Sequence, residues 1–446
     1  MPIADDVQRS LGRLLAERQV DWRVPGLAAG VVRDGILGWS GGVGAADVTN
    51  PDVPPDGETQ YRIGSITKTF TAALVMALRD EGKLDLDDRL TRFLPRTKHA
   101  SLTVRQMLSH ASGLQREPVG DIWESLACPD LDQLLAGLEE AERVLPPHHR
   151  WHYSNLAYAV LGEVVARLDG CGWEESLRVR ILEPLGLKRT GLVASAPFAV
   201  GYFPDPFTDE VHTEPDLDPL ATAPCGGLWS TLEDLARWAA FLAEPDESIL
   251  RSSTVDEMCR PQIMTDLDSW TGAWGLGIEQ VRRGDRVFVG HTGGMPGHVT
   301  GLFVHRKDRI GAVVLANSTS AADPAGLATD LAIAVLEGDP VTPDAWRPGK
   351  GAPAELVGVP GRWWSEGSAF RFSVKDGRLE ARSDPPPSGK PPAVFVRIGD
   401  DLYRTESGRE EGELLRLVRD DDGDVVRMYW ATYPFTRLPE TFAGSI

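Results

Sequence analysis

At 446 residues, with 42% apolar and 25% charged side chains, the chain is long enough for two or three domains and has the make-up of a soluble globular protein. A formal net charge of −20 without any basic stripe argues against a nucleic-acid partner. Four widely spaced cysteines, Cys128, Cys171, Cys225 and Cys259, never form a C-x-x-C and fit separate reduced thiols better than a disulfide framework or a zinc site.

The first twenty residues carry Asp5, Asp6, Arg9, Arg13 and Glu17 among apolar positions that recur at helical spacing (Val7, Leu11, Leu14, Leu15). That pattern predicts an amphipathic helix rather than a signal peptide. No run is long enough to span a bilayer, so the expected location is cytoplasmic, with no membrane partner. Apolar runs over 27–32 and 36–40, joined by Arg33-Asp34-Gly35, predict a β-hairpin. After a Gly- and Pro-rich loop, Phe70, Leu74, Val75 and Leu78 predict a buried helix that begins after Gly64 and ends near Gly82. Helices are expected over 103–110, 131–142, 156–168 and 173–182. The stretch 196–224 is long, weakly patterned and rich in Pro and Asp, which in a compact domain marks a functional or disordered segment. Ser230-Thr231-Leu232-Glu233 reads as a capping box opening a helix to about Leu242.

From Trp274 the period changes to that of strands: 275–281, 286–290, 298–305 and 310–316 form a predicted meander, closed by a helix over 324–336. Hairpin, helices, meander and helix in that order predict an α+β fold, with an antiparallel sheet built from both ends of the domain, flanked by helices, and a helical insertion between. The expected division is a first domain over 1–338, a Pro/Gly-rich linker over 339–353, and a small all-β domain over 354–446. In the last, the alternating Phe370, Phe372 and Val374, the Asp376-Gly377 turn, the alternating Val394, Val396 and Ile398, and the strand from Val425 to Trp430 suggest a small meander barrel, lipocalin-like, or a sandwich.

The chemistry centres on Ser65-Ile66-Thr67-Lys68, the one S-x-x-K in the chain. Residues i and i+3 of a helix lie side by side, so hydroxyl and amine face each other. A serine becomes a nucleophile when a neighbour takes its proton, and a desolvated lysine can do so. On its own the pattern is common and reads as an N-cap serine beside a solvated lysine. Two further motifs change that reading. Tyr153-Ser154-Asn155 is the one Y-x-N and precedes the helix over 156–168; a phenol near the lysine can relay the serine's proton, and an Asn can orient the lysine or meet a substrate carbonyl. His291-Thr292-Gly293-Gly294 ends a predicted strand, where glycines let a ligand approach the backbone and its N–H groups, with that of Ser65, form an oxyanion hole.

S-x-x-K, Y-x-N and H-T-G in this order resemble the serine β-lactamase and penicillin-binding-protein superfamily, and Y-x-N places the resemblance on the class C branch with DD-peptidases, D-aminopeptidases and carboxylesterases. It extends over about residues 5 to 338 and includes Leu108-Ser109-His110-Ala111-Ser112-Gly113-Leu114 and Gly226-Gly227-Leu228-Trp229-Ser230-Thr231. The resemblance implies Ser65 as acylated nucleophile, Lys68 as its base and Tyr153 as proton shuttle. Asn155 would bind the acyl-side carbonyl, the amides of Ser65 and Gly294 the oxyanion, and His291, Thr292 and Gly293 the substrate, with no cofactor and no metal. His291 stands where a β-lactamase has lysine, which removes a fixed charge for a β-lactam carboxylate and favours a peptidase, amidase or esterase. The expected partner is a small-molecule or short-peptide substrate; a homo-oligomer is left open.

Other motifs fit less well. Gly38-Trp39-Ser40-Gly41-Gly42 matches G-x-S-x-G, but prolines follow where that motif needs a helix. His148, His149 and His152 lack a completing ligand at metal spacing and read as loop histidines. An acyltransferase that passes the same acyl group to an amine or alcohol is the alternative function, and a non-catalytic scaffold the second.

Overall fold

The computed structural model describes residues 3–342, 345–349, 351–387, 389–441 and 444–445; positions 1–2 of the expected first helix, 343, 344 and 350 of the expected linker, and 388, 442, 443 and 446 of the expected β domain lie outside them. The chain divides into two compact units, Met1–Val341 and Thr342–Ile446.

The first unit is built on an eight-stranded antiparallel sheet. In spatial order its strands are Ile36–Gly44, Gly26–Arg33, Ile310–Ala316, His298–His305, Arg286–Met295, Glu279–Arg283, Gly272–Trp274 and Ile263–Met264. The N-terminal hairpin turns through Asp34 and Gly35, both at positive φ, and its inner strand joins the last strand of the meander in the register Leu27↔Ala316. Both faces of that inner strand are covered, so every residue of Gly26–Arg33 is buried. Leu27, Ala29 and Val31 pack with Leu11 and Leu15 of the Asp5–Asp21 helix and Leu331 and Val335 of the Pro324–Gly338 helix. Ala28 and Val32 face the larger core, with Phe70, Tyr158 and Trp238.

The Thr67–Asp80 helix is buried on every side from Thr67 to Met76 and runs through the middle of that larger core. It stops as expected: Gly82, at φ +74°, donates to Arg79 O and Lys83 donates to Leu78 O, a Schellman ending. The insertion supplies Val104–Leu108, Leu131–Glu140, Asn155–Asp169 and Trp173–Leu177, the last continuing through a π-type turn over Arg178–Leu182.

Local departures from expectation have local causes. The expected strand 275–281 is interrupted at Gly277, which takes φ +79°, and strand pairing resumes at Glu279. The cap of the Leu232–Ala243 helix is Thr231, accepting from Asp234 N at 3.1 Å, one residue later than the Ser230–Glu233 pattern indicated. Ser40, of the G-x-S-x-G match, is an exposed residue in the middle of the Ile36–Gly44 strand.

The second unit is a meander of eight strands in chain order, from Gly361–Ser365 to Tyr433–Phe435. Trp364 and Thr436 exchange backbone hydrogen bonds of 2.8 and 3.0 Å, joining the first strand to the chain just past the last and giving a near-closed barrel. Its core holds Trp363, Phe372, Phe395, Leu415, Met428 and Trp430. Ala393 and Phe395 point inward; Val396 and Ile398 are exposed, so the apolar alternation read there marks the outer face.

Candidate active site

Ser65 lies in a short 3-10 turn, Gly64–Ile66, that feeds directly into the Thr67–Asp80 helix. Glycine is required on both sides of a close backbone approach. Gly64 takes φ +50°, and a Cβ on it would stand 2.5 Å from Gly294 N; one on Gly293 would stand 2.0 Å from Ile63 O. The Arg286–Met295 strand is thereby pressed against the serine turn, and Thr300 Oγ1 secures the contact by donating to Ile63 O at 3.0 Å.

Lys68 is completely buried. Its Nζ has three oxygen partners: Asn155 Oδ1 at 2.7 Å, Cys225 O at 2.5 Å and Ser65 Oγ at 3.1 Å. Two of these only accept. A neutral amine that donates its two protons to them has its one lone pair left for the Ser65 hydroxyl. Burial lowers the Lys68 ammonium from 10.5 to about 8, so the proton-accepting form is within reach near neutral pH. The backbone around Cys225 is fixed by Thr71 Oγ1 donating to Pro224 O at 2.7 Å.

Tyr153 approaches from the insertion. It shares the wall of one cavity with Ser65, and Lys68 Nζ lies 4.8 Å from its ring centroid. Burial raises the phenol far above its ordinary range, so it stays protonated and acts as an O–H. Asn155 begins the Asn155–Asp169 helix behind the cap Ser154. Besides holding Lys68 it donates from Nδ2 to Glu117 Oε1 at 2.7 Å, which leaves one Nδ2 hydrogen for a ligand.

His291, Thr292, Gly293 and Gly294 sit within the Arg286–Met295 strand and not at its end: pairing runs on through Gly294↔Val299. His291 is buried, its Nδ1 is 2.5 Å from Thr292 O, and burial together with the Lys68 charge lowers it to about 3. It is a neutral imidazole at pH 7. Thr292 N and Oγ1 lie 3.3 and 3.5 Å from Glu279 Oε2. Gly293 does not line the cavity; it provides the close packing on Ile63.

Ser65, Tyr153, Asn155, His291, Thr292 and Gly294 line one cavity of about 360 Å³. Sequence reasoning missed its remaining walls: Arg116, Glu117, Trp123, Trp151, Trp274 and Glu279. Glu279, a lone carboxylate in an apolar run, was the one signal available; burial raises its carboxyl. The Cys225 carbonyl has no side-chain signal at all. A smaller, more apolar recess also reaches Ser65, walled by Ile122, Cys128, Leu217 and Met295. Leu217, Pro219 and Thr222 belong to the long 196–224 stretch, which is thus part of the site. His148 and His149 are exposed, and among the described residues no three His, Cys, Asp or Glu side chains are grouped to hold a metal. All four cysteines are free thiols, and no helix among the described residues is long and apolar enough to cross a membrane.

The Beta-lactamase family model matches residues 11–337. The chain belongs to the Beta-lactamase family. A second model, described as a domain of unknown function (DUF7586), matches residues 352–437. Beta-lactamase-like protein 2 of Dictyostelium discoideum is 31% identical over 265 residues, 55% of this chain and 47% of that protein, so the chain spans about half the length of that relative. A D-stereospecific amidohydrolase from Streptomyces sp. superposes with a TM-score of 0.61 at 26% identity, covering 75% of this chain and 97% of its own. The octameric penicillin-binding protein homologue from Pyrococcus abyssi shares the fold over 96% of this chain and 99% of its own, with a TM-score of 0.67 at 24% identity. Family membership supports acyl-serine hydrolase activity in general and leaves the substrate open.

Proposed function

We propose that this chain hydrolyses an amide, peptide or ester bond through an acyl group on Ser65, and that β-lactams are poor substrates. The observation that carries the reading is the Lys68 amine with two carbonyl acceptors and one hydroxyl around it. Lys68 Nζ takes the proton of Ser65 as Oγ bonds to the substrate carbonyl carbon. The amides of Ser65 and Gly294 receive the oxyanion, and the free hydrogen on Asn155 Nδ2 meets the acyl-side carbonyl. When the intermediate collapses, the C–N or C–O bond breaks and Tyr153 hands a proton to the leaving group. Lys68 restores the phenol's proton. Water then attacks the acyl carbon, its proton goes to Lys68, and Ser65 Oγ leaves with a proton as the acid is released.

The charges in the cavity support the preference against β-lactams. Neutral His291 offers no cation, and Glu117 and Glu279 line the wall that a substrate carboxylate would meet, with Arg116 the one cationic lining residue. The likeness to a D-stereospecific amidohydrolase favours an amide. A panel of p-nitrophenyl esters, D- and L-amino-acid p-nitroanilides and nitrocefin tests the proposal. Turnover of an ester or anilide that Ser65→Ala abolishes is expected; nitrocefin as the best substrate would overturn it. Product diverted from free acid by added amine or alcohol would favour acyl transfer.

A further inference from the structure

A loop side chain can hold a reacting geometry only if the loop is tied down, and the ties around Tyr153 converge on His110. The His110 carbonyl accepts from His152 N at 2.9 Å. Its ring Nδ1 accepts from Ser154 N at 3.0 Å. The residues on either side of Tyr153, His152 and Ser154, are therefore bound through their backbone N–H groups to the same residue. The imidazole also lies against the Tyr153 ring, with centroids 4.3 Å apart and planes tilted by 33°, and is backed by Trp274 at 4.9 Å and Tyr158 at 5.2 Å. His110 is fully buried and takes φ +55°, a left-handed conformation just past the Val104–Leu108 helix.

Hydrogen-bond arithmetic fixes the state of the ring. Because Nδ1 accepts an amide N–H it carries no proton, so the neutral ring is protonated at Nε2. That nitrogen is buried and has no hydrogen-bond partner among the described residues. A second proton would set N–H against N–H at Ser154 and break the tie. The charged or titratable groups facing the ring are Lys68, His291, Arg116 and His152, all basic, along with the phenols of Tyr153 and Tyr158; burial and the basic neighbours hold His110 well below its ordinary range.

We propose that His110 is the positioning residue for Tyr153: its carbonyl and neutral imidazole hold the backbone N–H groups of His152 and Ser154, and so the loop between them, in the place from which the phenol reaches the leaving group. The inference rests on Tyr153 being the donor of the leaving group's proton. It follows that the need for His110 grows with the basicity of the leaving group. A buried histidine that only filled space would slow all substrates alike.

The test uses the full chain and three acetate esters with increasingly basic leaving groups: p-nitrophenyl, phenyl and methyl acetate. His110→Phe keeps a ring and deletes the acceptor; His110→Leu is the second deletion should the first not fold. His110→Asn returns an acceptor oxygen near the Nδ1 position. The deletion is expected to change kcat for p-nitrophenyl acetate only a few-fold. For methyl acetate it should lower kcat about a hundredfold, the low end of general-acid contributions, with KM unchanged. Tyr153→Phe should show the same profile, the double variant no further loss, and His110→Asn recovery of most of the methyl acetate rate. Equal losses on all three esters, an additive double variant, or no loss on methyl acetate would overturn the positioning role. Failure of the wild type on every ester, with Ser65 unlabelled by a fluorophosphonate, would instead overturn the acyl-serine reading beneath it.

Discussion

On the proposed role of Lys68 as base, raising the pH from 7 to 9 is expected to increase kcat/KM about tenfold, because Ser65 would attack only beside the unprotonated amine. Burial lowers that ammonium to about 8. The free amine then grows from about one molecule in eleven at pH 7 to about ten in eleven at pH 9. The direction is fixed by the geometry: with Asn155 Oδ1 and Cys225 O each taking an N–H, only the neutral amine has a lone pair for Ser65. The assay is kcat/KM for a p-nitrophenyl ester across pH 5.5 to 10, corrected for spontaneous hydrolysis. His110 and His291 are both pushed down by burial, so neither produces a limb between pH 6 and 7. Lys68→Arg keeps the charge but cannot give up a proton, and should lose on the order of a thousandfold. A profile flat above pH 6, a limb near pH 6.5, or Lys68→Arg within tenfold of wild type would refute the assignment of Lys68 as base.

Other expected outcomes follow from single contacts. In Gly293→Ala the new Cβ would stand 2.0 Å from Ile63 O; forcing the strand off the serine turn should cost about 1–3 kcal/mol and reduce kcat, and a variant with wild-type urea midpoint and rate would show that the approach is loose. His291→Lys places an ammonium where the neutral imidazole stands and should lower KM for nitrocefin about tenfold, the worth of one charge-assisted hydrogen bond; an unchanged KM would remove charge as the reason for the expected β-lactam discrimination. Acid should weaken the fold. His291 and His298 are lowered by burial from 6.5 to about 3, so below pH 6.5 the unfolded chain binds protons that the folded chain refuses. Their contribution is complete above 6.5 and declines as the pH falls toward 3, about 2 kcal/mol per histidine by pH 5. Urea unfolding at pH 7.5 and 5 reads this, and equal stabilities would contradict it.

The parts of the site that sequence made legible are those whose chemistry resides in side chains at fixed spacing. Ser65 and Lys68 are three residues apart on one turn, and Tyr153 and Asn155 flank the cap of a strongly apolar helix. The lysine's shortest contact escaped notice because it is to a backbone carbonyl, Cys225 O, which any residue type supplies. Glu117 comes from a loop and Trp123 from the one-turn helix Ile122–Ser125, too short for a periodicity to place it, although tertiary packing sets Glu117 on Asn155. The fold was legible for a similar reason: unbroken apolar runs and Asp-Gly turns identify the hairpin and the meander. Where it was misread, one residue decided. Gly277 at φ +79° breaks a run that reads as continuous strand, and in the strand Ala393–Gly399 the barrel's interior takes Ala393 and Phe395 while the valines beside them read equally well as core.

The most direct measurement is the intact mass and peptide map of the chain after exposure to a fluorophosphonate. A single adduct on Ser65, absent in Ser65→Ala and strongly slowed in Lys68→Arg, is the predicted result. An adduct on any other residue, or Ser65→Ala labelling as fast as wild type, would contradict acyl transfer through Ser65.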